Sequence, residues 1–141
     1  MDTIEDFSKA IADFLDAENE RAAIIFAFSL LEQFVTDLLK IKSKHPELYN
    51  NLSVFLKVNL LHEIGAISDA EYESISWLRI QRNKAAHSPS YKVDLSGIKD
   101  NWVMSDLKNK TLLQKYLLTT VIGFWNVHTE IFKFYGFTKN A

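Results

Sequence analysis

Residues 20–44, ERAAIIFAFSLLEQFVTDLLKIKSK, contain neither glycine nor proline. A run of that length is far too long for one strand, which typically has about 3–10 residues. Its first half, AAIIFAFSLL, is apolar nearly all round, and its second half narrows to Phe34, Val35, Leu38, Leu39 and Ile41. That profile predicts a central helix packed on several sides, ended by Pro46 because the residue ahead of a proline is pushed out of the helical region. Everything else in the chain has to fold around this element.

The remaining segments read as helices too. Residues 2–16 return Ile4, Phe7, Ile11, Phe14 and Leu15 to one stripe at helical spacing. Residues 52–64 form a third helix, with Gly65 where a left-handed C-terminal cap is wanted. Ser68 and Glu71 then make an S-x-x-E capping box, with Ile67 placed to staple onto Tyr72, so a fourth helix starts at Asp69. Residues 88–105 change to Pro, Ser, Gly, Asp and Lys, a connection longer than most and hence functional or mobile. A last helix spans 106–135, with Gly136 as its stop. Four Gly and two Pro in 141 residues agree with long helices rather than hairpins. The expectation is an all-α fold: one domain over 1–141, an antiparallel bundle of four to five helices.

Charge and residue usage remove several classes of function. A formal charge of −2 does not describe a chain wrapped in basic surface for sequence-blind nucleic-acid binding. The absence of Cys removes disulfides, thiolate nucleophiles and zinc-thiolate sites, and fits a reducing compartment, so the cytoplasm is expected. The start, MDTIEDFSKAIADFL, carries acids where a signal peptide is basic, and YLLTTVIGFWNVHTEIF is broken by Thr, Asn, His and Glu, so no membrane role is expected. His45, His62 and His128 show no metal-ligand spacing, so neither metal nor cofactor is expected. Trp77, Trp102 and Trp125 read as packing residues, with a dimer anchor as the alternative for Trp77. No phosphate loop, nucleophile elbow or basic recognition helix is present, which argues against direct sequence-specific DNA binding.

One segment stands apart. The chain has three arginines, Arg21, Arg79 and Arg82, and two of them fall in ISWLRIQRNKAAHSP, just ahead of Asn83 and His87. On a wheel of about 100° per residue, Ile75, Leu78, Ala85 and Ala86 lie within roughly 60° of Arg82, so Arg82 points to the packed side. A guanidinium there needs a carboxylate, a phosphate or a water-filled cleft, and Glu32 is a candidate acid. The opposite side carries Trp77, Ile80 and Lys84, a second apolar patch that a twofold dimer partner would cover. Arg82 and His87 are five residues apart, about 140° on an ideal helix, and so diverge. A helix ending near Ala86, or a second protomer, would bring them together. His87 sits at the negative end of the helix dipole, a place suited to an acid or base.

The segment RNKAAH has the R-x-x-x-x-H form, with a polar residue after the Arg and small residues before the His, and it resembles the HEPN superfamily. The longer stretch LSVFLKVNLLHEIGAISDAEYESISWLRIQRNKAAH is similar to the mannitol operon repressor branch of that group. The likeness covers roughly residues 22 to 88. It implies a metal-independent endoribonuclease acting as a homodimer, with the motifs facing one another across the interface. On this chain it implies His87 as general base or acid, Arg82 as the phosphate-stabilising cation, Asn83 as the orienting group, and Lys84 and Arg79 as phosphate contacts. Trp77 and Ile80 would lie at the dimer interface. The branch also contains non-catalytic regulators that act through protein partners, and a free-standing domain of this size fits the toxin of a toxin-antitoxin pair.

Overall fold

The computed structural model describes residues 4–93, Leu95 and residues 109–136, and among these the chain is all-helical, without strands. Five α-helices follow in order: α1 Ile4–Asp16, α2 Glu20–Lys42, α3 Val54–Glu63, α4 Asp69–His87 and α5 Asn109–Phe134. A short 3-10 helix, Pro46–Tyr49, lies between α2 and α3. The expected first residues of the first helix, most of the expected connection at 88–105 with Trp102, and the expected helix start at 106 lie outside the described residues.

α2 is the hub, touching each of the other four helices. Ala23, Ile24, Ala27, Phe28, Leu31, Val35 and Leu38 are all buried along it, so successive residues face different neighbours. It is long and apolar enough to cross a membrane by composition alone, and here those side chains are spent on α1, α3, α4 and α5. The stripe of α1 packs as its spacing requires, with Phe7, Ile11 and Leu15 buried and the Phe7 ring stacked 5.9 Å from Phe26. From α5, Trp125 and Phe132 stack on each other at 5.1 Å and both meet Phe34 of α2. Truncating such a core residue, Leu78 for example, removes about 2–5 kcal/mol.

The helix ends follow local chemistry, with shifts of one or two residues from the sequence expectation. α2 stops at Lys42 rather than Lys44, because Ser43 is already extended and its hydroxyl accepts the His45 N–H. α3 begins at Val54 because Ser53 caps it, accepting from Leu56 N at 3.3 Å. Gly65 adopts φ +75°, and Gly65 N to His62 O with Ala66 N to Leu61 O closes a Schellman cap. Gly136, at φ +78°, ends α5 in the same left-handed region.

Candidate functional site

α4 carries the two clustered arginines and His87, and its position is set at both ends. At the N-terminus the capping box forms in full: Glu71 N donates to Ser68 Oγ at 3.1 Å and Ser68 N donates to Glu71 Oε1 at 3.0 Å. The other carboxylate oxygen of Glu71 accepts from Nε2 of the buried His128 on α5 at 2.8 Å. One turn on, the Tyr116 hydroxyl of α5 donates to Ser74 O at 2.9 Å, and burial pushes that phenol well above its ordinary pKa, so it stays a donor.

At the other end, Arg21 in the first turn of α2 donates from Nε to Ala85 O at 2.6 Å, satisfying a carbonyl that the helix leaves open in its last turn. Its neighbour Glu20 accepts the Val93 N–H at 2.9 Å, and the Tyr91 hydroxyl donates to the buried Gln81 Oε1. Adjacent residues of α2 thus hold both the end of α4 and the segment that follows it. Neither contact carries a short-range sequence signal, since the partners lie 64 and 73 positions apart.

Between these anchors lie Arg79 and Arg82. The guanidinium carbon of Arg82 sits 4.8 Å from the ring centroid of Phe28 on α2, and that of Arg79 sits 4.6 Å from the ring of Phe55 on α3. Both side chains are half-buried, and the Nε of each is buried with no hydrogen-bond partner. Arg82 does face the packed side, as the wheel requires. The acid expected for it is not there: Glu32 is exposed, and among the described residues no ion pair engages Arg82 or Arg79. The aromatic rings that cover the two guanidiniums have no local sequence signal, because helical phase tells which way a side chain points and not what it meets.

His87 is the exposed last residue of α4. Ser88 is the cap, extended at φ −137° and ψ 111° as its place before Pro89 dictates. The helix ends one residue past Ala86, as expected, but His87 is still its last helical residue, so the helix end does not turn His87 back toward Arg82, and Ala86 is exposed rather than packed. The two motif residues diverge by the roughly 140° of an ideal helix. Asn83 is half-buried and Lys84 is exposed. Trp77 already has an intramolecular partner, the Tyr116 ring at 4.6 Å in an edge-on arrangement, while Ile80 is 44% exposed.

A further basic residue, on α3, is buried. Lys57 of α3 is only 8% exposed, and its Nζ donates to Thr36 Oγ1 of α2 at 3.1 Å. Among the described residues no group of three or more His, Asp or Glu side chains is arranged to hold a metal ion. The chemistry this region offers is therefore two aromatic-backed guanidiniums that no acid among the described residues engages, and an exposed imidazole at a helix end. Comparisons with protein-family models, curated proteins and solved structures find no match to this chain.

Proposed function

We propose that this chain is a HEPN-like, metal-independent endoribonuclease of the cytoplasm that acts as a homodimer, in the manner of the toxin of a toxin-antitoxin or defence system. The observation that carries the reading is the guanidinium of Arg82: half-buried against Phe28 and, among the described residues, without an acid, which is the setting an anionic ligand would answer. An antiparallel helix arrangement of HEPN type belongs to the same reading, as does a dimer contact through Trp77 and Ile80.

The chemistry is transesterification. The imidazole of His87 takes the proton of a ribose 2′-hydroxyl, the 2′-oxygen bonds to the adjacent phosphorus, and the bond to the 5′-oxygen breaks as that oxygen takes up a proton. Arg82 neutralises the charge that builds on the phosphorane oxygens, and Asn83 orients one of the two. Because Arg82 and His87 diverge on one helix, the His87 that serves a given Arg82 comes from the second protomer. The test is cleavage of end-labelled transfer RNA and messenger RNA in EDTA by wild type beside His87→Ala, with helicity and dimer mass checked for both. Cutting by wild type alone supports the reading; intact RNA under folded, dimeric wild type ends it.

The same divergence supports a second reading, a non-catalytic regulator of the mannitol operon repressor kind that works through a protein partner. It predicts a reproducible complex from the native host whose formation depends on the Arg82 face, with no RNA cleavage.

A further inference from the structure

The thirteen residues 75–87, ISWLRIQRNKAAH, hold Arg79, Arg82 and Lys84 and not one Asp or Glu, in a chain whose formal charge is −2. On α3, which lies against this helix, Lys57 is added and the sole acid is Glu63 at the far end. Basic residues in a last turn commonly answer the helix dipole, but that effect fades within one turn, and Arg79 lies more than two turns before His87. Its charge needs another explanation.

Arg79 repeats the construction of Arg82 three residues earlier, about 4.5 Å along the helix axis and on a neighbouring line of the same surface. Each guanidinium lies over a phenyl ring that covers one face of it, and with the Nε buried the Nη groups are the donors left to meet a phosphate. Neither is engaged by a hydrogen bond or an ion pair among the described residues, whereas Arg21 is committed to Ala85 O. The two rings differ in one respect. Phe28 is 2% exposed and is purely a backing for Arg82, but Phe55 is 46% exposed and has aromatic surface left for a ligand. A planar cation edge beside open aromatic surface is what a nucleotide of a single strand recognises: phosphate at the guanidinium, base on the ring.

We propose that Phe55 and Arg79 form a nucleotide subsite that holds the residue of a single-stranded RNA next to the phosphate at Arg82. The proposal rests on the RNA reading above for the role of Arg82, and adds α3 to the binding surface. It is tested by fluorescence anisotropy with a fluorescein-labelled oligouridine in EDTA, on a His87→Ala background that keeps the RNA intact. Arg79→Ala should weaken binding about tenfold and make the dependence of log affinity on log salt shallower by about 0.7, the value of one phosphate contact on a single strand. Phe55→Leu, which keeps apolar bulk and removes the ring, should weaken binding severalfold and leave the salt slope unchanged.

Binding that Arg79→Ala leaves within twofold while Arg82→Ala weakens it overturns the subsite, and so does the absence of any RNA binding by the parent protein. The outcomes separate from those of the cleavage assay. Cleavage that is indifferent to Arg79 and Phe55 ends this proposal and spares the nuclease; binding that depends on both residues, without cleavage by wild type, does the reverse. Circular dichroism and thermal melts confirm that each variant remains folded.

Discussion

Glu71 and His128, 57 residues apart, tie the start of α4 to the C-terminal half of α5: one carboxylate oxygen closes the capping box on Ser68 N at 3.0 Å and the other lies 2.8 Å from His128 Nε2. His128 is flanked in turn by the rings of Phe124 and Phe132. A residue that reads locally as a cap is thus also the polar link between two helices. The helix presenting Arg79 and Arg82 takes its register from that cap and its seat against α5 from that link.

The link makes stability depend on pH in a defined direction. Burial pushes the Glu71 carboxyl up, but the hydrogen bond from His128, the bond from Ser68 N and the nearby His128 charge outweigh it, so its pKa falls below the ordinary value of 4.5. A depressed folded-state pKa stabilises the fold fully above the unfolded value and loses that contribution as pH falls through the folded one. The melting temperature should therefore decline as pH drops below about 4.5. Glu71→Gln, which keeps the shape and removes the titration, should be less stable than wild type at pH 7 and should converge on it in acid. A gap that stays constant from pH 7 to pH 3 would show that Glu71 contributes nothing through its charge.

Glu18 offers a stabilising change. The turn between α1 and α2 closes as the Gly65 turn does, with Glu18 N to Leu15 O at 3.0 Å and Asn19 N to Phe14 O at 2.8 Å, but the residue in the left-handed position is Glu18 at φ +57°. A side chain in that conformation is strained where glycine is not. Glu18→Gly should raise stability by about 0.5–1 kcal/mol, or roughly 2–4 °C in melting temperature for a chain of this size. A lower melting temperature would mean that the Glu18 side chain has a role outweighing the strain.

These cases show which parts of the molecule are legible from the sequence. The capping box, the left-handed Gly65, the buried stripe of Phe7, Ile11 and Leu15 and the hub character of residues 20–42 rest on spacings of three to five positions, and such spacings carry the information directly. The inward aim of Arg82 is of the same kind. What Arg82 meets is not: Phe28 instead of Glu32 depends on how α2 and α4 are turned toward each other, and no local pattern records that. The Arg21 bond to Ala85 O and the Glu71 bond to His128 are long-range for the same reason. The ring of Tyr116 that α5 sets against Trp77 is long-range in the same way, 39 positions along the chain. Glu18 is silent for another reason, since a left-handed position held by Glu has no compositional mark.

Lys57 should be replaceable at a gain. The residue is 8% exposed, and among the described residues its ammonium has one neutral hydrogen-bond partner, Thr36 Oγ1, and no ion pair, so no counter-charge offsets the hydration it gives up. Lys57→Met keeps the length and apolar stem and removes the charge. Thermal or urea unfolding should show stabilisation of roughly 1 kcal/mol. A loss of stability would place an anion or ordered water on that ammonium.

Arg21 and Arg82 should separate stability from function. Arg21→Ala removes a charged donor from the end of α4 and leaves Ala85 O open, costing about 1.5–3 kcal/mol and several degrees of melting temperature. Arg82→Ala gives up only the contact with Phe28, about 0.5–1 kcal/mol, and relieves a buried Nε that had no partner, so the melting temperature should scarcely move. On the proposed function Arg82→Ala is nevertheless the variant that abolishes RNA cleavage, while Arg21→Ala retains it at temperatures where it is folded. Equal loss of melting temperature in the two variants would return Arg82 to a structural role, and the pair of arginines in RIQR would then have no claim on a ligand.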